Sequence, residues 1–307
     1  MDGTHLHLLL NHVPTIGFIV AVGFYLVSLV GGSRDLKLGS LALIVGIALA
    51  TIPTYVTGNM ASAHILNVPD VEQTTIATHE GAAFLAMVVI QFTGAVAWLA
   101  IWALRRTGRV STLTDLTVLV LAVVALTLVA GAANLGGHIR HTEIRPEQEV
   151  TTAIGPLART VGNYVRDTPW TWVTAETLHF VGLSLIVGVL SVILLRMVGV
   201  MAFLPTSVLT RLLPWGMLGY AINTMSGMLF FAAAPQQYVD NPAFYWKLVF
   251  LLLAAANVLY FTFDDGWQTQ TGRPAPALTK ALAASALFLW VGVMYWGSML
   301  PFIGNAF

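Results

Sequence analysis

Cysteine is absent from all 307 residues of this chain. That removes disulfides, thiolate metal sites and the CxxCH attachment of c-type haem, so any bound group must be held by histidine, methionine, carboxylate or backbone. Charge is nearly as scarce: Asp, Glu, Lys and Arg make up 9% of residues and sum to a formal net charge of zero. With no basic run and no positive excess, nucleic acid is excluded as a partner. A cleavable signal peptide is not expected either, because Asp2 and three histidines (His5, His7, His12) stand where a basic n-region would precede the first apolar run.

What the chain has instead is apolar bulk. It is 57% hydrophobic with a mean hydropathy of +0.80, which points to lipid as its solvent. Crossing a hydrocarbon core takes about 20 helical residues. Runs of that kind lie near 12–31, 38–58, 75–104 and 113–138, and again near 172–196, 206–234, 243–263 and 279–301. Lipid offers backbone groups no partner, so each run is expected to be a helix. The expected fold class is all-α: a polytopic membrane protein of eight spans in two four-helix bundles. The expected divisions are 1–138 for the first bundle, 139–171 for a cap or linker and 172–307 for the second bundle.

Basic residues cluster in every second connection: Arg34 and Lys37; Arg105, Arg106 and Arg109; Arg196 and Arg211; Arg273 and Lys280. The charge rule puts those connections in the cytoplasm and both termini outside. The 139–171 segment then also lies outside. Its Arg140, Arg145, Arg159 and Arg166 are balanced by Glu143, Glu147, Glu149 and Asp167, as suits a small extracytoplasmic cap.

On this topology all eight histidines fall toward one side of the membrane. His5, His7 and His64 read as interfacial residues, since amphipathic side chains settle readily at that level. His12, His79, His138 and His179 lie on four different helices at depths agreeing within about two turns, roughly 10 Å. Ionisable groups at such depth are costly unless functional, and these four are the candidate haem-iron ligands. Bis-histidine haem b needs facing imidazoles, small residues beside the porphyrin and polar groups for its propionates. Gly131, Gly136 and Gly137 precede His138, Gly81 follows His79 and Gly182 follows His179. His141, Arg140, Arg145 and Lys247 are further candidate cofactor contacts, with simple snorkelling as the alternative for Lys247.

Glu80 adjoins His79, and Glu176 stands three residues before His179. One E-x-x-H step is too little for a di-iron bundle, so both carboxylates read as acceptors for an imidazole N–H, with helix-dipole complementation as the plainer role of Glu176. Met225 and Met228, at i and i+3, and Met60 provide a copper alternative, since thioethers with imidazoles suit Cu(I). A methionine pair in a membrane helix is more often packing.

Short motifs add a resemblance. Asn11-His12-Val13-Pro14, Thr57-Gly58, Thr78-His79-Glu80-Gly81 and Gly136-Gly137-His138 resemble the layout of uncharacterised four-helix bacterial inner-membrane domains that begin with an HFP-like step; Val13 stands where that pattern has an aromatic. Leu178-His179-Phe180-Val181-Gly182, Leu213-Pro214-Trp215, Ser226-Gly227 and Asp240-Asn241-Pro242-Ala243-Phe244 resemble a second uncharacterised four-helix family. The resemblance implies a fusion of two such units, similar in style to b-type membrane cytochromes.

The expected function is a membrane-anchored b-type cytochrome subunit, carrying one or two b haems. It would exchange electrons on the outer face between a quinol pool and a periplasmic cytochrome c or catalytic subunit docked on the cap. Trp170, Trp172 and Tyr164 could pack against such a partner, or form an interfacial belt. His179 is the only histidine of the second half, so a bis-histidine haem using it would need a first-half partner. With no histidine near the cytoplasmic face, a two-haem ladder across the bilayer is not expected. The alternatives are a copper or other metal-handling membrane protein and a cofactor-free membrane anchor or scaffold subunit. A transporter with broken helices at Pro53, Gly216 or Gly227 has no inverted repeat to support it.

Overall fold

Apolar runs become helices wherever the chain is described. The computed structural model describes residues 3–66, 71–140, 157–263 and 275–303. Eleven helices occupy them: α1 Gly3–Leu10, α2 His12–Gly31, α3 Arg34–Ile65, α4 Gln73–Thr107, α5 Thr112–Arg140, α6 Leu157–Asp167, α7 Pro169–Val198, α8 Thr206–Ala233, α9 Pro235–Val239, α10 Pro242–Phe263 and α11 Ala277–Ser298. No strand occurs among the described residues.

Among the described residues seven spans are long and apolar enough to cross a membrane: α1 with α2, then α3, α4, α5, α7, α10 and α11. The length of α8 is sufficient, yet Arg211, Pro214, Asn223 and Ser226 interrupt it, and it is not among the seven. Large apolar side chains such as Ile16, Ile19, Phe24, Val27, Leu113, Leu116, Phe288 and Val291 are exposed. Helices apolar on their outward face as well as inward are what a lipid solvent selects.

The chain divides into two compact units. The first comprises 1–172 with 228–239. Its α2, α3, α4 and α5 pack in sequence order, and α2 also meets α5, which closes an antiparallel bundle. Phe18, Tyr25, Leu41, Ile44, Ile90 and Ile101 fill its core. Helix α1 lies against α3. The break at Asn11 has a local cause: Pro14 has no N–H for the Leu10 carbonyl, and Thr54 Oγ1 of α3 sits 3.4 Å from that oxygen instead. The amphipathic α6 packs on α4, with Gly162 set so close to the backbone of Ala232 that no side chain fits there.

The basic connections of this unit converge at one end. Lys37 Nζ pairs with Asp115 at 2.7 Å, the Tyr25 hydroxyl donates to the other Asp115 oxygen at 2.9 Å, and Arg34 donates to the Leu104 carbonyl at 3.3 Å. Seventeen residues of α3 separate Lys37 from Thr54, about 26 Å at 1.5 Å per residue. The histidine-bearing end is therefore the opposite end of the bundle.

The second unit comprises 173–227 and 240–307. Its core is Ile186, Leu190, Leu194, Leu209, Ala254, Ala283 and Trp290 with their neighbours. Gly182 of α7 and Gly219 of α8 bring two backbones together, a Cβ on either falling 2.8–2.9 Å from a carbonyl oxygen or backbone nitrogen across the contact; small residues permit such approach between membrane helices. Asn241 ties α10 to α11: its side chain accepts from Ala243 N at 2.9 Å and donates to the Leu300 carbonyl at 2.9 Å. Pro242 at the first helical position completes that start.

Candidate functional site

Two imidazoles meet in the first unit. The rings of His7 on α1 and His79 on α4 have centroids 6.4 Å apart and planes inclined by 72°. Each ring is held by the same device. His7 Nδ1 lies 3.0 Å from the Thr54 carbonyl of α3, and His79 Nδ1 lies 2.9 Å from the Ala132 carbonyl of α5. A carbonyl only accepts, so both rings carry their proton on Nδ1 and the lone pair on Nε2.

The sequence reason for both anchors is a glycine one turn downstream. Helical side chains tilt toward the N-terminus, so residue i+4 covers carbonyl i. Thr54 is followed four residues later by Gly58, and Ala132 by Gly136. A Cβ on Gly58 would lie 3.0 Å from His7 Cε1, and one on Gly136 would lie 3.1 Å from His79 Cε1. Each glycine exposes a carbonyl and makes the shelf on which the ring rests.

The remaining expected residues are placed differently. His12 is exposed, its Nδ1 turned 3.0 Å from the Leu8 carbonyl on the same helical path, and His64 makes the like contact with Met60 at 3.3 Å. His138 lies two residues past Gly136 on α5, rotated about 200° from the face that carries His79. Glu80 pairs with Arg159 of α6 at 3.3 Å; the acceptors that orient the two rings are backbone carbonyls. His141 lies outside the described residues, as do Arg145 and the side chain of Arg140. His7, read from sequence as an interfacial residue, is the partner that His79 actually meets.

In the second unit His179 Nδ1 is 3.0 Å from Ser226 Oγ. That hydroxyl has a single proton, directed to the Ile222 carbonyl at 2.7 Å or to Asn223 O at 3.1 Å. Ser226 therefore accepts from His179, and Nε2 again carries the lone pair. Asn223 Nδ2 donates to the His179 carbonyl at 2.9 Å and locks the two helices in register. Lys247 of α10 lies within electrostatic range of His179, its stem crossing Gly297 of α11 with Cε and Nζ 3.6 Å from where a Cβ would stand. Glu176 is exposed, and the Nδ1 acceptor is Ser226.

No family model, curated protein or solved structure matches this chain. Chemistry alone must then say what the sites can do. Two imidazoles on one metal ion at ~2.0–2.1 Å each place their ring centres roughly 6 Å apart, close to the His7–His79 spacing. Among the described residues no group of three or more His, Cys, Asp or Glu is placed to hold a metal. A tetrahedral metal needs about four protein ligands or three with an open position. A two-imidazole set suits a metal whose other ligands arrive with it, as in haem.

Proposed function

We propose that this chain is a multi-pass membrane cytochrome of b type that exchanges electrons at one face of the bilayer. The observation that carries the reading is the His7–His79 pair, two carbonyl-anchored imidazoles on separate helices at 6.4 Å. Haem b, when bound, would supply one-electron chemistry. His7 and His79 would hold the iron, Thr54 and Ala132 fix the tautomer each ring needs, and Gly58 and Gly136 set the ring positions. Anchoring Nδ1 on a carbonyl also raises the basicity of the ligating nitrogen.

The same reading takes α8 as an eighth span, places the basic connections in the cytoplasm of a bacterial inner membrane and so puts the histidine end and both termini outside. Electrons would pass between a quinol pool and a periplasmic redox partner. Helix α6 lies on α4 at the histidine end, and Tyr164 and Trp170 beside it are exposed, a surface suited to a periplasmic cytochrome c or catalytic subunit.

Copper is the second reading. Met60 packs against Gly3, one turn before His7, and thioethers together with imidazoles suit Cu(I). In a cofactor-free scaffold the carbonyl anchors would serve only to fix helices, and the two remaining lone pairs would go unused. The test is a dithionite-reduced minus oxidised visible spectrum of natively expressed protein, with pyridine haemochrome and metal analysis on the same sample. A split b-type α/β band at one haem or more per chain is the expected result. A featureless spectrum with bound copper selects the second reading, and neither haem nor copper overturns both.

A further inference from the structure

The basic end of the second unit holds cations without an anion. Arg196, near the end of α7, is only 4% exposed. Its Nε donates to the Leu204 carbonyl at 2.8 Å, so the guanidinium lies against the turn 199–204 that joins α7 to α8. Its Nη2 is buried and has no hydrogen-bond partner among the described residues. A buried donor left unpaired is costly. Lys280 of α11 reaches the same turn, its Nζ 3.9 Å from where a Cβ on Gly199 would stand. The described carboxylates of this unit, Glu176 and Asp240, stand at the opposite end; Asp264 and Asp265 lie outside the described residues.

The start of α11 adds donors to these cations. Its opening hydrogen bond runs from Lys280 N to the Pro276 carbonyl at 3.0 Å, no side chain caps it, and its first turn contains no acidic residue. The N–H groups of Ala277, Leu278 and Thr279 therefore have no partner within the helix. A helix start favours a negative charge, yet the one charged side chain in this turn is Lys280. Backbone N–H groups, an ammonium and a guanidinium together suit an anion with several acceptor oxygens, as phosphate has. Val200, Phe203 and Leu278 beside them are apolar and 67%, 75% and 64% exposed, which suits an anion that carries acyl chains.

We infer that the start of α11, Lys280 and Arg196 form a binding site for the phosphate group of an anionic phospholipid. The α11 N–H groups and Lys280 take the phosphate oxygens. Arg196 is a positioning residue: it holds the turn through the Leu204 carbonyl and places a positive charge beneath it. On the proposed topology this end is cytoplasmic, where basic pockets between membrane helices bind lipid headgroups. The site uses no residue of the His7–His79 pair and does not depend on the haem reading.

The probe is dioleoylphosphatidylglycerol, titrated into full-length protein in a non-ionic detergent and counted by native mass spectrometry. One tightly retained lipid per chain is expected. Lys280→Gln should weaken retention about fivefold, the scale of one basic residue at a lipid surface. Arg109→Gln, which removes an exposed cation at the basic end of the first unit, should change it little. Pro276→Asp gives α11 a capping carboxylate of its own and should displace the lipid while every basic group remains. Arg196→Lys should retain more lipid than Arg196→Gln, because it keeps the charge. Every variant must show the gel-filtration profile of the parent, so that misfolding is not mistaken for lost binding. Equal loss in Lys280→Gln and Arg109→Gln would mean diffuse attraction and overturns the site, as does retention unchanged in both Lys280→Gln and Pro276→Asp. Stabilisation by sodium phosphate over sodium chloride at matched ionic strength, lost in Lys280→Gln and without any retained lipid, refutes the lipid and reassigns the site to free phosphate. A His79→Ala protein should retain the lipid as the parent does, which keeps this site separable from the haem reading.

Discussion

The two ends of the first unit solve the problem of polar groups in an apolar bundle in opposite ways. At the basic end, Lys37, Asp115 and Tyr25 satisfy one another side chain to side chain, and Asp115 uses both oxygens on two partners. About 26 Å away along α3, His7 and His79 are each hydrogen-bonded, among the described residues, on one nitrogen only, by backbone carbonyls, and each retains a lone pair on the other. A closed network fixes helices and has nothing left to offer a ligand. An anchored imidazole fixes helices and still has a donor atom to give, which is the difference between a tie and a site.

The largest effect that can break this contrast is removal of a ring. On the haem reading, His7→Ala and His79→Ala should each abolish a low-spin haem spectrum while the protein remains inserted and monodisperse, because neither ring can replace the other. His12→Ala should leave the spectrum intact, since that exposed ring is turned to the Leu8 carbonyl one turn back on the same helical path. A spectrum lost in His12→Ala and kept in His7→Ala would transfer the site to the residue that opens α2.

Why His12 looked the better ligand from sequence is a question of rotation. Apolar length locates spans well, because a bilayer demands about 20 residues whatever the protein; the expected runs match α2, α4, α5, α7, α10 and α11 within a few residues. Hydropathy marks lipid and not helix, so α3 continues past residue 58 to Ile65, and the helical path begins at Gly3 ahead of His12. That put His7 on a helix facing α3. His7 and His12 are five residues apart, about 140° around a helix, so one of them faces the bundle when the other does not. Counting depth along a sequence cannot choose between them. The legible signal was Thr54 with Gly58 and Ala132 with Gly136, an exposed carbonyl marked by a glycine one turn later. In the second unit the same limit applied to Ser226, whose role needs the α7–α8 register that Gly182 and Gly219 set.

The glycine shelf gives the next measurement. Gly136→Leu places a side chain where Cβ alone would be 3.1 Å from the His79 ring, and should lower haem affinity by about tenfold, the lower end of what altered outer-shell partners of a metal ligand cost. Gly131→Leu, on the same helix with nothing within 4 Å of its Cβ, is the matched control and should change nothing. Equal loss in both would mean that α5 tolerates no bulk, and that the shelf has no special part.

At the other end, Asp115→Ala should act on stability and leave the spectrum alone. The Lys37–Asp115 pair is only 17% exposed on each side, and Tyr25 is fully buried. Removing the carboxylate strands a cation and a hydroxyl together, a loss on the order of 3 kcal/mol. Unfolding titrations in mixed micelles should show it, with the haem band unchanged per folded molecule. Haem loss in the folded variant would couple the two ends.

The smallest expected effect discriminates most finely between the sequence reading of the site and its geometry. Glu80 adjoins His79, and a carboxylate orienting a ligating imidazole is a common arrangement. Here its partner is Arg159 of α6 at 3.3 Å, with the arginine side chain 56% exposed, and the His79 proton goes to Ala132. Glu80→Gln should therefore cost no more than about 1 kcal/mol through a solvated ion pair, and should leave haem content and midpoint potential at parent values. Arg159→Gln should behave identically, because both variants break one contact between α4 and α6. If Glu80→Gln shifts the potential and Arg159→Gln does not, the carboxylate acts on His79 directly. The carbonyl at Ala132 would then be only a resting partner of the ring, and the distinction between a tie and a site would have to be drawn inside the histidine pair itself.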